Sequence, residues 1–169
     1  MKILITGSSN GIGRACALLF LHLGHKVYGI DILPSTISHP QYTHYEEDIR
    51  TDIVHSTLID IDILINNAGV QDSEDDIDIN LNGTINVTEK YGIQPNIKSI
   101  LFMASASAST GAEFPKYAAS KGGMVAYMKN VALRIAQYGA TSNSLSAGGV
   151  TTELNAHIID DSNLWTQVL

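Results

Sequence analysis

The sequence TGSSNGIG at residues 6–13 decides the fold, because it joins a short apolar run to a helical pattern. Gly7 allows a tight turn, Gly11 allows the backbone to approach a pyrophosphate, and Gly13 allows the helix to pack closely on the strand. The free N–H groups where the helix begins favour a phosphate. The spacing differs from the common dinucleotide fingerprint and from a P-loop. The loop therefore predicts a dinucleotide site, with a glycine-rich turn that binds nothing as the alternative.

Outward from this loop, apolar runs alternate with helical patterns, which is typical of an α/β fold with a parallel sheet. The run at residues 61–66 is almost entirely apolar, as a strand buried on both faces requires. The predicted strands are residues 2–6, 26–31, 42–45, 61–66, 99–103 and 141–146. The predicted helices are residues 12–23, 52–60, 78–91 and 117–137.

Composition is typical of a globular protein with one domain. The chain has 169 residues, of which 44% are hydrophobic and 16% charged, and a formal net charge of −7. An acidic chain argues against nucleic acid or an anionic membrane as a partner. The single cysteine, Cys16, excludes an internal disulfide, and no stretch is apolar enough for a signal peptide or a membrane span. We therefore expect a cytoplasmic protein.

Asp31 ends the second predicted strand, 18 residues after Gly13. A carboxylate at this point can accept hydrogen bonds from the ribose hydroxyls of adenosine and would repel a 2′-phosphate. Asn10 adds no positive charge to the loop, and Arg14 begins the helix and is expected to face away from the ribose. The sequence therefore favours NAD over NADP, with a solvated strand end as the alternative for Asp31.

Two further motifs lie downstream of the loop, NNAG at residues 66–69 and YAASK at residues 117–121. With the glycine loop, and in this order, they resemble the short-chain dehydrogenase/reductase family over residues 1–152. The resemblance implies a Rossmann-type doubly wound parallel sheet of strand order 3-2-1-4-5-6, a nicotinamide cofactor, and hydride transfer between an alcohol and a carbonyl group. It also implies a small alcohol or carbonyl substrate and a homodimer or homotetramer.

The resemblance assigns cofactor contacts to the glycine loop, the acid after the second strand, an acidic–aliphatic pair at the adenine, the NNAG and YAASK motifs, and a segment that binds the nicotinamide carboxamide. The matching residues are Gly7, Ser9, Asn10, Gly11, Ile12, Gly13, Asp31, Asp48, Ile49, Asn67, Ala68, Gly69, Tyr117, Lys121, Gly148, Val150 and Thr152. The proline that the family usually has before the last segment is Ala147 here. Alanine loosens that turn without removing a catalytic group.

The catalytic residues implied by the resemblance are Asn80, Ser105, Tyr117 and Lys121. Asn80 matches the helix asparagine that positions a water in a proton relay, and Ser105 follows the fifth strand, 12 residues before Tyr117. A one-residue shift would exchange Ser105 for Ser107, or Asn80 for Asn82. These two residues are therefore the alternatives.

The chemistry of Tyr117 and Lys121 also follows from their spacing. Four residues apart on a helix, the two side chains share one face. A tyrosine has a pKa of about 10, too high for an efficient base at neutral pH, and an adjacent lysine cation favours the phenolate. Tyr117 could then take the proton of an alcohol while Ser105 holds the substrate oxygen. An exposed helix pair without function is the alternative.

The C-terminal part of the chain limits these expectations. The whole chain, residues 1–169, is expected to form one dinucleotide-binding domain. Members of the family usually continue through a substrate-covering segment and a seventh strand. From about residue 153 that segment would be incomplete here, and the seventh strand would be absent. An enzyme and a dinucleotide-binding protein with weak turnover therefore stay open as alternatives.

The acidic run at residues 72–78 has a simpler interpretation than a metal site. Carboxylates are favourable at a helix N-terminus, so this run is expected to be a solvated helix start. The histidines show no metal-binding spacing. We expect no metal.

Overall fold

The computed structural model describes residues 1–55 and 58–153. Its centre is a six-stranded sheet in which every pair of neighbours is parallel, in the order β3-β2-β1-β4-β5-β6. This confirms the predicted fold class and strand order. The predicted absence of a seventh strand falls on residues that lie outside the described part of the chain. The strands are β1 (Lys2–Thr6), β2 (Lys26–Asp31), β3 (Tyr42–Glu46), β4 (Ile63–Asn66), β5 (Ser99–Ser105) and β6 (Thr141–Ala147).

The helices that accompany the sheet are α1 (Gly11–His22), α2 (Thr84–Val87), α3 (Ser107–Thr110) and α4 (Pro115–Ile135). The predicted helix at residues 78–91 is present, but α2 lies between two π-helical segments, Asp78–Gly83 and Thr88–Gly92. α4 begins with a proline, whose fixed φ and missing N–H suit the first helical position. A 3₁₀ turn, Ala136–Tyr138, follows α4. No helix within the described ranges is long and apolar enough to cross a membrane.

The alternating side chains of β1 place apolar groups on both faces of the sheet. Ile3 and Ile5 pack in a cluster with Ala17 and Leu21 of α1. Leu4 belongs to a second cluster, which includes residues of β4, β5, α2 and α4. Because successive side chains of a strand point to opposite faces, this division places helices on each side of the sheet. The sheet is therefore the buried middle layer of the fold.

The helix predicted at residues 52–60 is wrong where the structure describes this segment. Residues 52–55 and 58–60 form an irregular connection. Ile53 and Leu58 are buried in the core, and the Tyr91 hydroxyl donates to the carbonyl of Ile53 at 2.7 Å. Burial of these apolar side chains, rather than helix propensity, decides the path of the chain.

The carboxyl edge of the sheet is where the two glycine-containing motifs meet. The strand order reverses between β1 and β4, so the chain leaves these adjacent strands toward opposite faces. In an open α/β sheet, such a reversal opens a crevice at the carboxyl ends of the strands. The glycine loop follows β1 and the NNAG motif follows β4. The fold therefore brings both motifs to the edge of one crevice.

Two adjacent glycines inside α4 have different surroundings. A Cβ on Gly123 would lie 2.8 Å from Cδ2 of Leu81, so the absence of a side chain allows the first π-helical segment to pack closely on α4. For a Cβ on Gly122, the nearest atom outside the helix is the carbonyl oxygen of Ala108, at 3.8 Å. Close packing within the chain therefore explains why residue 123 is a glycine, and it does not explain the glycine at residue 122.

Substituting the two glycines one at a time should change the free energy of unfolding by different amounts. Gly122→Ala should raise the free energy of unfolding by about 0.5–1 kcal/mol, since alanine lowers the backbone entropy of the unfolded chain. Gly123→Ala should raise it by about 1 kcal/mol less, or lower it, because the new methyl group must displace Leu81 and this offsets the same entropic gain. Urea unfolding followed by circular dichroism measures both. Equal effects of the two substitutions would contradict the packing described for Gly123.

Candidate active site

A cleft of about 730 Å³ opens at the carboxyl edge of the sheet, where the strand order reverses. Most of the residues singled out in the sequence line this cleft: Gly7, Asn10, Gly11, Ile12, Asp31, Asp48, Ile49, Asn67, Ala68, Gly69, Ser105, Tyr117, Lys121, Gly148, Val150 and Thr152. Ser9, Gly13 and Asn80 are buried and are not part of its lining. The structure therefore brings the first set together and places the other three as supports.

The glycine loop and the NNAG motif are joined through Thr6 and Asn67. Thr6 Oγ1 accepts hydrogen bonds from the backbone N–H groups of Asn67 and Ala68, both at 3.0 Å. Asn67 Nδ2 donates to the carbonyls of Thr6 and Gly7, both at 3.1 Å. Thr6 is not among the residues predicted from the sequence, where its one signal is a hydroxyl at the end of an apolar strand. These four bonds fix the two walls of the cleft relative to each other.

The glycine loop suits a pyrophosphate group for two reasons. Its backbone packs closely against the start of α1, and the first N–H groups of α1 have no partner within the helix. A Cβ on Gly13 would lie 2.0 Å from the carbonyl oxygen of Gly7, so α1 can approach the loop only without that side chain. Gly11 has a φ of +50°, a conformation that glycine adopts readily. Asn10, the N-cap of α1, makes no side-chain hydrogen bond to the helix. The N–H groups of the first turn are therefore available to an anion.

Asp31 lies at the opposite end of the cleft wall from the catalytic candidates and holds the loops around it. Its Oδ2 accepts from the backbone N–H of Ser9, and its Oδ1 from that of Leu33, both at 2.9 Å. Arg14 Nε donates to Thr36 Oγ1 at 3.0 Å, and Arg14 is not among the residues that line the cleft. Asp31 therefore places a carboxylate in the cleft lining beside the second strand, where Glu47 is also part of the lining.

Asp48 pairs with a residue that the sequence analysis did not select. Arg50 Nε and Nη2 both donate to the Asp48 carboxylate, at 2.9 and 2.7 Å to Oδ2. This arginine holds the pKa of Asp48 below its ordinary value, through its side-chain hydrogen bonds above all. Arg50 also lines the cleft, and its closeness to Asp48 in sequence is the signal that could have indicated it. The adenine end of the predicted site therefore carries a paired, not an isolated, carboxylate.

Asn80 is fully buried in the first π-helical segment and connects three parts of the site. Its Oδ1 accepts from the backbone N–H of Val70 at 2.8 Å, and its Nδ2 donates to the carbonyl of Val70 at 2.9 Å. The same Nδ2 donates to Ser120 Oγ at 3.1 Å. Asn82, the alternative, is exposed and donates to Asp78. The Asn80 amide group is therefore used to hold the loop after β4 against α4.

Ser105, Ser107 and Tyr117 meet at one end of the cleft. All three line the cleft, and the Ser105 hydroxyl lowers the pKa of Tyr117 in part. Ser105 Oγ donates to Ser107 Oγ at 3.1 Å, and Ser107 Oγ donates to Glu113 Oε2 at 2.7 Å. Of the two serines considered, Ser105 is the one that affects the pKa of the candidate tyrosine.

Lys121 is 5% exposed, and its Nζ donates to the carbonyl of Met103 at 2.8 Å. The same nitrogen lies 5.6 Å from the ring centroid of Tyr117. Burial lowers the pKa of Lys121 to about 8, and the negative charge of Asp76 opposes this shift. The spacing of four residues has therefore brought Tyr117 and Lys121 together, as expected.

Asp76 is a buried carboxylate that the sequence analysis misread. It is 1% exposed, and neither of its carboxylate oxygens has a hydrogen-bond partner among the described residues. The prediction of a solvated helix start is therefore wrong for this residue, although the other acids of the run are exposed: Asp72, Glu74, Asp75 and Asp78. Asp76 places a negative charge near the lysine and the tyrosine of the site.

The pKa of Tyr117 is raised, whereas the positive charge of Lys121 was expected to lower it by favouring the phenolate. Burial raises the pKa of the Tyr117 hydroxyl, the hydrogen bond with Ser105 lowers it in part, and the charges of Glu113 and Asp76 raise it further. Tyr117 is therefore protonated at neutral pH in the protein alone. A positive charge supplied by a ligand in the cleft would favour its ionised form.

The comparisons with known proteins agree with this arrangement. The family profile described as short chain dehydrogenase matches residues 1–163. The chain is 34% identical to the short chain dehydrogenase prhI of Penicillium brasilianum, in an alignment that covers 88% of this chain and 68% of that protein. The chain belongs to the short chain dehydrogenase family.

Two solved structures of dehydrogenases are similar to the whole fold. One is a 4-hydroxyisoleucine dehydrogenase complexed with NADH, with a TM-score of 0.84, 26% identity, and coverage of 98% of this chain and 80% of that chain. The other is the aldohexose dehydrogenase of Thermoplasma acidophilum in its ligand-free form, with a TM-score of 0.82, 25% identity, and coverage of 98% and 75%.

The depressed pKa of Lys121 predicts a pH dependence of stability. Unfolding returns the lysine to an ordinary pKa, so between pH 8 and about 10 the unfolded chain binds the extra proton and the folded state gains stability as the pH rises. From pH 7 to pH 10, the wild type should gain about 2–3 kcal/mol in free energy of unfolding relative to Lys121→Met.

The matched control is Lys129→Met, since Lys129 is exposed on the same helix. Urea unfolding of the three proteins at pH 7 and pH 10 measures the effect. The control should show no pH-dependent difference from the wild type. If Lys121→Met and Lys129→Met behave alike, Lys121 does not carry the depressed pKa.

Proposed function

We propose that the chain is an oxidoreductase that uses NAD(H) to interconvert a secondary alcohol and the corresponding ketone. The observation that carries this proposal is a single cleft lined by Ser105, Tyr117, Lys121 and the glycine loop, in which Lys121 Nζ lies 5.6 Å from the ring centroid of Tyr117. Family membership supports the oxidoreductase class. The two dehydrogenases of similar structure are named for hydroxyl-bearing compounds, which supports an alcohol as the substrate.

Several features of the cleft support a nicotinamide dinucleotide as the cofactor. The open first turn of α1 would hold the pyrophosphate, and Asp31 would accept hydrogen bonds from the adenosine ribose. Gly148, Val150 and Thr152 lie beyond β6 and would hold the nicotinamide end. When bound, the cofactor supplies the acceptor or donor of the hydride. The NADH complex of the similar 4-hydroxyisoleucine dehydrogenase supports the same assignment.

The residues of the chain would perform the proton transfer and the orientation. In the oxidation direction, Tyr117 as phenolate takes the hydroxyl proton of the alcohol at its phenolic oxygen. In the reduction direction, the same hydroxyl group returns a proton to the substrate oxygen. Ser105 would hold that oxygen in place, and the Lys121 cation together with the positive charge of an oxidised nicotinamide would favour the phenolate. Asn80 would support the relay by fixing the loop after β4 against α4, in addition to any role toward water.

Three coarser features complete the proposal. The whole chain is proposed to be one domain, which the single sheet of the described residues supports.

A homodimer or homotetramer is proposed, with α4 at an interface, because Leu133 on this helix is 80% exposed. A sedimentation measurement that finds an active monomer would count against it. A cytoplasmic location stays the prediction from composition.

Asp31 predicts a preference for NADH over NADPH. A ligand at a hundredfold excess over its Kd stabilises a protein by about 2.7 kcal/mol, which raises Tm by several degrees in a chain of this size. NADH should therefore raise Tm clearly more than NADPH does. Asp31→Asn should reduce the difference, because it removes the repulsion of the 2′-phosphate.

Glu46→Gln is the control for this substitution, since Glu46 pairs with Asp31 across β2 and β3 but is exposed and does not line the cleft. It should keep the wild-type difference between the two cofactors. Equal or reversed shifts of Tm in the wild type would overturn the assignment of NAD.

Tyr117→Phe tests the catalytic role directly. Loss of the phenolic hydroxyl should reduce kcat by about 10²–10⁴-fold, because proton transfer loses its general acid or base. The increase in Tm caused by NADH should persist. Tyr127→Phe is the matched control on the same helix, since the Tyr127 hydroxyl donates to Glu89 outside the cleft. Turnover retained by Tyr117→Phe would show that the site has been assigned wrongly.

A further inference from the structure

Glu113 is a charged residue of the cleft to which the proposed mechanism assigns no role. It lies between α3 and α4, four residues before Tyr117, and lines the cleft together with Ser105 and Tyr117. Its φ is +68°, in the left-handed region that few residues other than glycine adopt. Backbone in this conformation is maintained where the surrounding structure requires it, and such residues are concentrated at functional sites. Glu113 is therefore a candidate for contact with the substrate.

The hydrogen bonds of Glu113 show which of its atoms face the serines. Its Oε2 accepts from Ser107 Oγ at 2.7 Å, and Ser107 Oγ in turn accepts from Ser105 Oγ at 3.1 Å. Ser105 and Ser107 are 7% and 2% exposed, whereas Glu113 itself is exposed. The carboxylate therefore lies at the solvent end of a chain of hydrogen bonds that begins at Ser105.

The negative charge of Glu113 also affects the pKa of Tyr117. Its carboxylate raises the pKa of Tyr117, after the larger effect of burial. A substrate whose oxygen meets Tyr117 and Ser105 would therefore have its neighbouring atoms within the field of Glu113. An ionised carboxylate accepts hydrogen bonds and does not donate them. It favours a hydroxyl or an ammonium group there and disfavours a carboxylate or a phosphate.

We propose that Glu113 is a specificity-determining residue that selects substrates with a hydrogen-bond donor, a hydroxyl or an ammonium group, on the carbon adjacent to the reacting carbinol. This inference rests on the proposed function. Glu113 Oε2 holds Ser107, and Oε1 receives the donor of the substrate. The substrate class is therefore a vicinal diol or an amino alcohol, together with the corresponding hydroxy ketone or amino ketone.

A purely structural role of Glu113 gives a different expectation. In that case the carboxylate would act through Ser107 to orient Ser105, and its loss would slow all substrates by the same factor. Ser107→Ala separates the two roles, because it breaks the connection to Ser105 and leaves the carboxylate in the cleft. A binding role predicts that the preference for a donor survives in Ser107→Ala and disappears in Glu113→Ala.

The probes are cyclohexanediol with adjacent hydroxyls, the corresponding amino alcohol, and the monomethyl ether of the diol. The ether keeps the size of the diol and lacks the donor. In the wild type, kcat/KM for the diol and the amino alcohol should exceed that for the ether by about tenfold or more, mainly through KM. Glu113→Ala should abolish both preferences. Glu113→Gln keeps an acceptor without the charge, so it should retain more of the preference for the diol than of that for the amino alcohol.

Glu74→Gln is the control carboxylate, since Glu74 is exposed, pairs with Lys116 and does not line the cleft. It should keep the wild-type ratios. Three results would overturn the inference while leaving the proposed function intact: turnover without preference for a donor, ratios unchanged in Glu113→Ala, or equal losses for all probes in Glu113→Ala and Ser107→Ala.

Binding measurements separate this inference from the proposed function. If the wild type oxidises none of the probes, titration calorimetry in the presence of NADH still compares their affinities. Tighter binding of the diol and the amino alcohol than of the ether, lost in Glu113→Ala, would support the inference while the proposed oxidation fails for this class. Equal binding of the three compounds, or binding of none, would overturn it.

Discussion

Four hydrogen bonds between the loop after β1 and the loop after β4 are the constraint on which the rest of the site depends. The hydroxyl of Thr6 and the side-chain amide of Asn67 join backbone groups that lie about 60 residues apart in the chain. The reversal of strand order brings the two loops together, and these bonds fix their separation. Gly7 permits this approach, since a Cβ there would lie 2.8 Å from Cα of Ala68. The width of the cleft follows from this contact.

The catalytic end of the cleft depends on a second set of buried polar contacts. Asn80 holds the backbone of Val70 and the side chain of Ser120, which places α4 beside the loop after β4. Lys121 then reaches the carbonyl of Met103 in β5. A buried cation with few partners is energetically expensive, and its depressed pKa reflects this. If Tyr117 ionises when the cofactor binds, as proposed, its phenolate would give this cation an anionic neighbour.

Local patterns in the sequence predicted the glycine loop, Asp31 and the pair Tyr117–Lys121, because turn chemistry, the end of a strand and the helical period determine them. Other features depend on packing between distant segments. The irregular path of residues 52–55 and 58–60 follows from burial of Ile53 and Leu58 in the core and not from helix propensity. In the sequence Asp76 is one acid in a run expected to be solvated, and its burial arises from tertiary packing that the local pattern does not show. Glu113 gives no signal in the sequence, since its contact with Ser107 arises from a left-handed turn.

The central claim is that this cleft transfers a hydride between a nicotinamide cofactor and a carbonyl carbon. NADH that is deuterated at its transferable position tests the claim directly, when it is incubated with the protein and a panel of hydroxy ketones and simple ketones. The account predicts an alcohol product that carries deuterium on its carbinol carbon, detected by mass spectrometry. Saturable binding of NADH without deuterium in any product would contradict it and favour a dinucleotide-binding protein without turnover.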